Sequence, residues 1–216
     1  MSRPSVLVID AGLGNIGSVL AAFQRQDCSV RRASRPPSEV VDVFTHAVLP
    51  GVGAFANGMQ ALKISGWEAW IKEEWCKADR PLLGICLGMQ LLASEGTEGA
   101  QEDAVVSGLD LIPGRVDRLN VDPDLVLPHV GWNELHWHSL DSPLAKSHPE
   151  GGDMYFVHSY AFHPANPAHR LAVSHYGQQF TAVVGRGSCY GVQFHPEKSQ
   201  RLGRCLLENF LALPRC

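Results

Sequence analysis

The sequence predicts an α/β protein in which a central, mostly parallel sheet is flanked by helices and continues into an antiparallel extension. Two observations carry this prediction. In the first half of the chain, short apolar runs alternate with helix-periodic segments, as in a parallel sheet with helices on both faces. In the second half, short β-rich segments are separated by turn residues, as in antiparallel strands. The 216 residues, 45% hydrophobic and 19% charged, suit one compact domain over 1–216.

The first half contributes four predicted strands with helices between them. The strands are SVLVID (5–10), SVRRAS (29–34), HAVLPG (46–51) and PLLGI (81–85). Helical periodicity is found in 16–26, after the first strand, and in 58–77, before the fourth. A further helix is predicted directly after the fourth strand, with Gly96 as its end. Its apolar positions are Met89, Leu91, Leu92 and Ala93.

The second half contributes the antiparallel extension and a closing helix. Its β-rich segments are 112–121, 127–138, 153–163, 170–177, 180–187 and 189–195. The pattern of 200–212 predicts a helix that closes the chain. A strand-rich second half after an alternating first half is therefore expected to extend the parallel sheet at one side.

Charge and cysteine content exclude several classes of function. The formal net charge is -4 and basic residues do not cluster beyond a short run at 31–35, so neither nucleic acid nor a membrane surface is an expected partner. The apolar run near the start is too short for a signal peptide or a membrane span, and we expect a cytoplasmic location. Six cysteines without C-x-x-C spacing indicate free thiols. His136 and His138 lack further ligands nearby, so no metal is expected.

A glycine fingerprint in the first strand–helix turn indicates one competing function. Gly12, Gly14 and Gly17 have the G-x-G-x-x-G spacing that binds dinucleotides. The next strand carries Arg31 and Arg32 instead of the acidic residue that holds an NAD ribose, which leaves NADP as the compatible ligand. The other interpretation is a tight turn that packs helix against strand, and we prefer it, so no cofactor is predicted.

The stretch GICLG places Cys86 between Gly84 and Gly88, where an apolar strand meets a helix. This spacing is typical of a nucleophile elbow, in which a sharp turn exposes the central side chain above the sheet. The N-terminus of a helix stabilises negative charge and hence a thiolate. A buried structural cysteine is the alternative, but paired glycines serve no packing purpose on an apolar strand. Cys86 is therefore the predicted nucleophile.

A nucleophilic cysteine needs a base and a group that orients the base. In CYGVQFHPEKS, His195 and Glu197 are two residues apart, so in an extended segment both side chains project to the same side. Pro196 stiffens the backbone between them. We interpret His195 as the base and Glu197 as its orienting carboxylate. A polar turn at the end of a strand is the alternative.

Acyl chemistry also needs donors for the oxyanion that forms on the substrate. The backbone N–H of Leu87, directly after the nucleophile, is the first predicted donor. The second is the N–H of Val52, because the flanking Gly51 and Gly53 leave its peptide free to turn. An ordinary Pro-Gly turn is the alternative for this loop.

Taken together, GICLGMQLL and GVQFHPEKS resemble the class I (triad) glutamine amidotransferases, which hydrolyse glutamine through a γ-glutamyl thioester. DAGLGN, LPGVGAF, PHVGWNEL and YFVHSY further resemble the glutaminase subunits of imidazole glycerol phosphate synthases, from Ile9 to Phe210. The resemblance implies a flavodoxin-like fold and the triad Cys86, His195 and Glu197. It implies delivery of ammonia to a (β/α)8-barrel cyclase subunit in a heterodimer, for histidine biosynthesis.

The same resemblance implies roles for further residues. Glutamine would be held by Gly53, Gln90, Ser159 and Tyr160. Asn15, Trp132, Tyr155 and Lys198 would face the cyclase. The sequence departs from the family at Ala11, where tyrosine is frequent, and at Gln200, where glycine is frequent. Both lie outside the triad, but Ala11 is on the predicted partner side, which leaves the interface open.

Three alternative functions remain at this stage. A related glutaminase could serve another synthase, such as one that modifies surface sugars, with the same triad. A cysteine peptidase could use the same elbow, but Gln90 and the turn-rich middle favour a pocket for one amino acid. A binding module without catalysis would not require the complete set of Cys86, His195 and Glu197.

Overall fold

The computed structural model describes residues 3–14, 16–37, 43–101 and 104–214. The strands are β1 Ser5–Ile9, β2 Ser29–Ala33, β3 His46–Gly51, β4 Leu82–Cys86, β5 Glu95–Gly96, β6 Val106–Ser107, β7 Gly114–Arg118, β8 His129–Trp137, β9 Gly152–His158, β10 Tyr160–Pro164, β11 Arg170–Tyr176, β12 Gln178–Arg186 and β13 Cys189–Val192. The α-helices are α1 Ile16–Gln24, α2 Phe55–Ser65, α3 Trp67–Trp70, α4 Leu87–Gln90 and α5 Gln200–Leu211. A π-helical turn covers Ile71–Cys76, and 3₁₀ turns cover Pro143–Ala145, Pro167–His169 and Pro196–Lys198.

The described strands form a large sheet of nine and a small sheet of four. The large sheet has the order β2-β1-β3-β4-β13-β12-β11-β8-β9. Its first five strands are parallel and the remaining pairs are antiparallel. The small sheet has the order β10-β7-β5-β6. The predicted fold class, a parallel core with an antiparallel extension, is confirmed.

Alternating side chains of the central strands supply both faces of the large sheet with apolar groups. On one face, Val6 and Val8 of β1 pack in a core cluster with residues of α1 and α5. On the other face, Leu7 and Ile9 pack with residues of α2 and α3. Parallel strands covered on both faces explain why their sequences read as continuous apolar runs. No helix among the described residues has the length and apolar character needed to cross a membrane.

The helix after β4 is shorter than the sequence predicts. It ends at Gln90, and Gly96, the predicted end, belongs to the short strand β5. The carbonyls of Leu91, Leu92 and Ala93 accept hydrogen bonds from backbone N–H groups of 109–112. These tertiary bonds replace the next helical turn, so the prediction of a helix that continues to Gly96 was wrong.

Two other predicted segments are divided in the structure. The helical segment 58–77 breaks at Gly66, whose φ of 81° ends α2. The β-rich segment 153–163 splits at Ser159 into β9, which pairs with β8 in the large sheet, and β10, which pairs with β7 in the small one. Ser159 therefore lies where the chain passes from one sheet to the other.

Candidate active site

Cys86 lies at a strained turn between β4 and α4. Its φ of 55° and ψ of -111° define a backbone conformation that residues other than glycine rarely adopt. A Cβ on Gly84 would lie 2.5 Å from the carbonyl oxygen of Gly88, and a Cβ on Gly88 would overlap the carbonyl oxygen of Leu49. Both glycines are therefore required by close packing of the backbone. The geometry is that of the predicted elbow.

His195 and Glu197 follow β13, the strand that pairs with β4. Nδ1 of His195 lies 2.8 Å from Oε1 of Glu197, and these side chains are only 7% and 4% exposed. Burial lowers the pKa of His195, but hydrogen bonds with Cys86 and Glu197, and the charges of those groups, raise it to about 9. The structure thus brings together the three predicted triad residues.

The backbone of His195 is held from two sides. Its N–H donates to the carbonyl oxygen of Tyr155 at 2.9 Å. Its carbonyl oxygen accepts from Oγ of Ser199 at 2.7 Å, and the same Oγ accepts from the N–H of Tyr155 at 3.0 Å. Ser199, in the motif HPEKS, therefore ties β9 to the segment that carries His195.

A cavity of about 350 Å³ opens in front of Cys86. Its lining includes nine of the residues predicted from the sequence to act in the site, together with Glu98 and His158. The nine are Val52, Gly53, Cys86, Leu87, Gln90, Ser159, Tyr160, His195 and Lys198. Glu197 lies behind His195 and does not line this cavity. The volume suits a single amino acid.

A chain of buried amides connects the wall of the cavity to Cys86. Nε2 of Gln90 donates to the carbonyl oxygen of Tyr160 at 3.1 Å and to Oε1 of Gln193 at 3.0 Å. Nε2 of Gln193 in turn lies 3.7 Å from Sγ of Cys86. Gln193 lies within GVQFHPEKS but was given no role from the sequence, because residue spacing does not show that its side chain approaches Cys86.

The N–H of Val52 is occupied by a hydrogen bond inside the protein. It donates to the carbonyl oxygen of Leu13 at 2.8 Å. Leu13 lies between Gly12 and Gly14, in the glycine turn, and the side chain of Val52 packs on the open face of Gly14. The glycine turn thus contacts the loop after β3. The predicted oxyanion donor is present at this position, but it is bonded elsewhere.

Glu98 supplies the cavity with a carboxylate that sequence reasoning missed. Burial raises the pKa of Glu98, and a hydrogen bond from the backbone N–H of Phe55 lowers it in part. Among the described residues, no group of three or more His, Cys, Asp and Glu side chains is placed to hold a metal ion.

Comparison with known proteins identifies the family. Residues 7–213 match the family described as "Glutamine amidotransferase class-I". The chain belongs to this family. It is 51% identical over 213 residues to "Imidazole glycerol phosphate synthase subunit HisH 1" of Prochlorococcus marinus, with 98% of each chain covered. It is 43% identical over 212 residues to the HisH subunit of Rhodospirillum rubrum, with 95% of this chain and 97% of the relative covered. The resemblance stated from the sequence motifs is confirmed.

Solved structures share the fold of this amidotransferase. A glutamine amidotransferase from Thermotoga maritima superposes with a TM-score of 0.69 at 18% identity, and the match covers 99% of this chain and 100% of that one. PurLQS from the same organism gives a TM-score of 0.68 at 15% identity, with 97% and 98% covered. At these identities the likeness shows the fold alone.

Three of the four residues predicted to face a partner, Trp132, Tyr155 and Lys198, lie close together, and Lys198 also lines the amidotransferase cavity. Nζ of Lys198 lies 5.6 Å from the centroid of the Tyr155 ring, and the Trp132 ring meets Tyr155 edge-on at 5.8 Å between centroids. Trp132 is 48% exposed, which is unusual for a tryptophan. Asn15, the fourth residue predicted to face the partner, lies outside the described residues.

Proposed function

We propose that this chain is the glutaminase subunit of an imidazole glycerol phosphate synthase. It hydrolyses L-glutamine to glutamate and ammonia through a Cys86 thioester and delivers the ammonia to a cyclase subunit, which forms imidazole glycerol phosphate and AICAR in histidine biosynthesis. The observation that carries the proposal is the buried pair of His195 and Glu197, which directly follows β13, the strand next to the Cys86 elbow. The names of the HisH relatives support the choice of synthase.

In the first half-reaction, Sγ of Cys86 forms a bond to the amide carbon of glutamine. The proton of the thiol is held by His195, whose raised pKa favours the imidazolium form at neutral pH. His195 then gives this proton to the leaving nitrogen, the C–N bond breaks, and ammonia departs from a glutamyl thioester. Glu197 accepts a hydrogen bond from Nδ1 of His195 and keeps Nε2 directed at the reacting atoms.

In the second half-reaction, His195 removes a proton from water, which attacks the thioester carbon. The C–S bond breaks, glutamate forms, and the thiolate of Cys86 is restored. In both halves the N–H of Leu87, at the first turn of α4, stabilises the oxyanion. The N–H of Val52 is the second donor once it leaves Leu13.

The amino-acid end of glutamine is bound by the polar groups on the far wall of the cavity. Gly53, Gln90 and the backbone of Ser159 and Tyr160 hold the substrate there. Glu98 is the remaining anionic group on this wall and pairs with the α-ammonium group, since an ammonium ion requires a carboxylate or carbonyl oxygens as acceptors.

The partner is a (β/α)8-barrel cyclase that binds the surface formed by Trp132, Tyr155 and Lys198, in a heterodimer. An exposed tryptophan such as Trp132 is typical of protein interfaces, in which aromatic residues are enriched. Residues 1–216 act as one glutamine amidotransferase domain. The free thiols of the described cysteines suit the cytoplasm, where we place the activity.

Activity of the complex assembled with a histidine-pathway cyclase tests this proposal. Cys86→Ala should abolish glutamine hydrolysis, while the complex still forms product from added ammonium salt, because only the source of ammonia is lost. Cys205→Ala, a partly buried cysteine of α5, is the matched control and should retain both activities. Glutaminase activity in Cys86→Ala would refute the triad. Failure of wild type to support the cyclase would favour the alternative, a glutaminase that serves another synthase.

A further inference from the structure

Two buried histidines beside the cavity have no place in the mechanism above. His129 on β8 and His158 at the end of β9 are 3% and 5% exposed, and they are opposite one another in the β8–β9 ladder. We propose that His158 is a positioning residue whose Nδ1–H holds the carbonyl of Tyr160. His129 and Asn133 impose the tautomer of His158 that carries its proton on Nδ1. This inference rests on the proposed function, because it gives Tyr160 the role of a glutamine-binding group.

An unbroken row of hydrogen-bond distances runs from Tyr160 through His158 and His129 to Asn133. Nδ1 of His158 lies 2.8 Å from the carbonyl oxygen of Tyr160. Nε2 of His158 lies 3.1 Å from Nδ1 of His129, and Nε2 of His129 lies 3.3 Å from Nδ2 of Asn133. The His129 ring also stacks with Phe156 and with Tyr176, with ring centroids 5.3 and 4.2 Å away. Packing therefore limits the rotation of its ring.

The hydrogen-bond partners at the two ends of the row, Asn133 and Tyr160, determine which nitrogen of each imidazole carries a proton. At one end, the amide of Asn133 is oriented by two backbone groups, because Nδ2 donates to the carbonyl of His175 and Oδ1 accepts from the N–H of Glu134. The nitrogen of Asn133 thus faces His129 and requires Nε2 of His129 to accept. At the other end, a carbonyl oxygen only accepts, so Nδ1 of His158 donates to Tyr160.

With both ends determined, His129 and His158 are neutral and carry their protons on Nδ1. A further proton on either ring would place an N–H of His129 against the amide N–H groups of Asn133, or two N–H groups against each other. Burial accordingly lowers the pKa of both histidines. His158 therefore stays uncharged beside His195, and the row of bonds keeps its direction.

This row of hydrogen bonds restrains the carbonyl of Tyr160. That oxygen accepts from His158 on one side and from Gln90 on the other, so both of its lone pairs are used. Tyr160 is the first residue of β10, where it pairs with Arg118, and it directly follows Ser159, where the chain passes between the sheets. His158 and Gln90 together add a restraint on the carbonyl at this end of β10.

Steady-state kinetics of the full chain assembled with its cyclase test the proposal. His158→Phe keeps the ring and removes the donor, and we expect the KM for glutamine to rise about tenfold, as for the loss of one hydrogen bond, while kcat changes less than about threefold. His158→Asn places an amide nitrogen near the position of Nδ1, and its KM should stay within about threefold of wild type. His163→Phe, an exposed histidine of β10, is the matched control and should behave as wild type.

An unchanged KM in His158→Phe, or equal damage in His158→Asn and His158→Phe, would overturn the proposal. Long-range ¹H–¹⁵N spectra of the imidazoles of the wild-type chain give a readout that is independent of activity and of variant folding. We expect His129 and His158 neutral with the proton on Nδ1, and a proton on Nε2 of either ring would contradict the proposal. A wild-type chain that does not hydrolyse glutamine would instead contradict the proposed function, and leave the spectra unaffected.

Discussion

The N–H of Val52 and the carbonyl oxygen of Leu13 are joined by a 2.8 Å hydrogen bond. A backbone N–H has one proton to donate, so this bond and a bond to a substrate oxyanion exclude each other. The candidate site therefore contains the predicted nucleophile, base and orienting carboxylate, while one of the two predicted oxyanion donors is bonded elsewhere. We expect the bond between Leu13 and Val52 to keep the isolated chain in a slow form.

The first prediction concerns activation by the partner. The isolated chain should hydrolyse glutamine slowly, and the complex with cyclase and its nucleotide ligand should be about 10²- to 10³-fold faster, as expected for the gain of one oxyanion donor. Partner and ligand achieve this only through higher affinity for the form in which Val52 is released. Glutaminase rates of the chain alone, with cyclase, and with cyclase and nucleotide give the measurement. An isolated chain as fast as the liganded complex would show a site that is always formed.

The second prediction is that Val52→Gly partly activates the isolated chain. Without the side chain that packs on Gly14, the peptide after Gly51 loses a contact that favours the bond to Leu13. We expect a higher glutaminase rate without partner and a smaller increase on addition of the liganded cyclase. Val105→Gly, at an exposed valine, is the control. An unchanged basal rate with full activation would indicate that the Val52 side chain has no part in the restraint.

Glu197→Gln should reduce the kcat for glutamine by about 10²- to 10⁴-fold with little change in KM. The amide oxygen can still accept from His195, but the negative charge that raises the pKa of His195 is lost. The expected signature is a pH–rate profile in which the ionisation assigned to His195 moves to lower pH. A variant with unchanged kcat and an unchanged profile would remove Glu197 from the site.

Glu98→Gln should weaken binding of glutamine about 10- to 100-fold, the scale of one hydrogen bond to a charged group. Titration calorimetry in the Cys86→Ala background measures the dissociation constant without turnover. Glu95→Gln removes a nearby carboxylate that pairs with Arg115 and should leave glutamine affinity unchanged. Equal affinities for the two variants would mean that the α-ammonium group binds elsewhere.

Stability should fall in mild acid because of His158. Burial, the largest cause, lowers its pKa from 6.5 to about 4, and the hydrogen bond with Tyr160 opposes this shift only in part. Between pH 6.5 and 4 the unfolded chain takes up a proton at this ring and the folded chain does not, so the free energy of unfolding decreases as pH falls. The loss approaches about 3 kcal/mol by pH 4. Urea unfolding of wild type and His158→Asn at pH 7, 5.5 and 4.5 should show a steeper decrease for wild type, and parallel curves would contradict the assignment.

Sequence reasoning predicted the parts of the site that depend on local pattern. Gly84, Cys86 and Gly88 form the elbow, and His195 and Glu197 form a pair, because both features follow from spacing within a few residues. His195 faces the cavity with Cys86, and Glu197 lies behind it. The end of α4 was predicted wrongly, because the carbonyls after the helix accept hydrogen bonds from backbone N–H groups of 109–112, which are distant in the sequence. Glu98, Gln193 and His158 were given no role in the site from the sequence. Tertiary packing brings Glu98 and His158 to the cavity and Gln193 to Cys86, and residue spacing does not reveal that packing.

The position of β13 between β4 and β12 has a consequence for the protein during its synthesis. The nucleophile at the end of β4 leaves the ribosome early, whereas the adjacent strand that brings His195 is among the last segments to be made. A nascent or truncated chain thus has the thiol but no base beside it. Until β13 is made and pairs with β4, one edge of β4 also has unpaired backbone N–H and C=O groups. We therefore expect incomplete translation products to lack glutaminase activity.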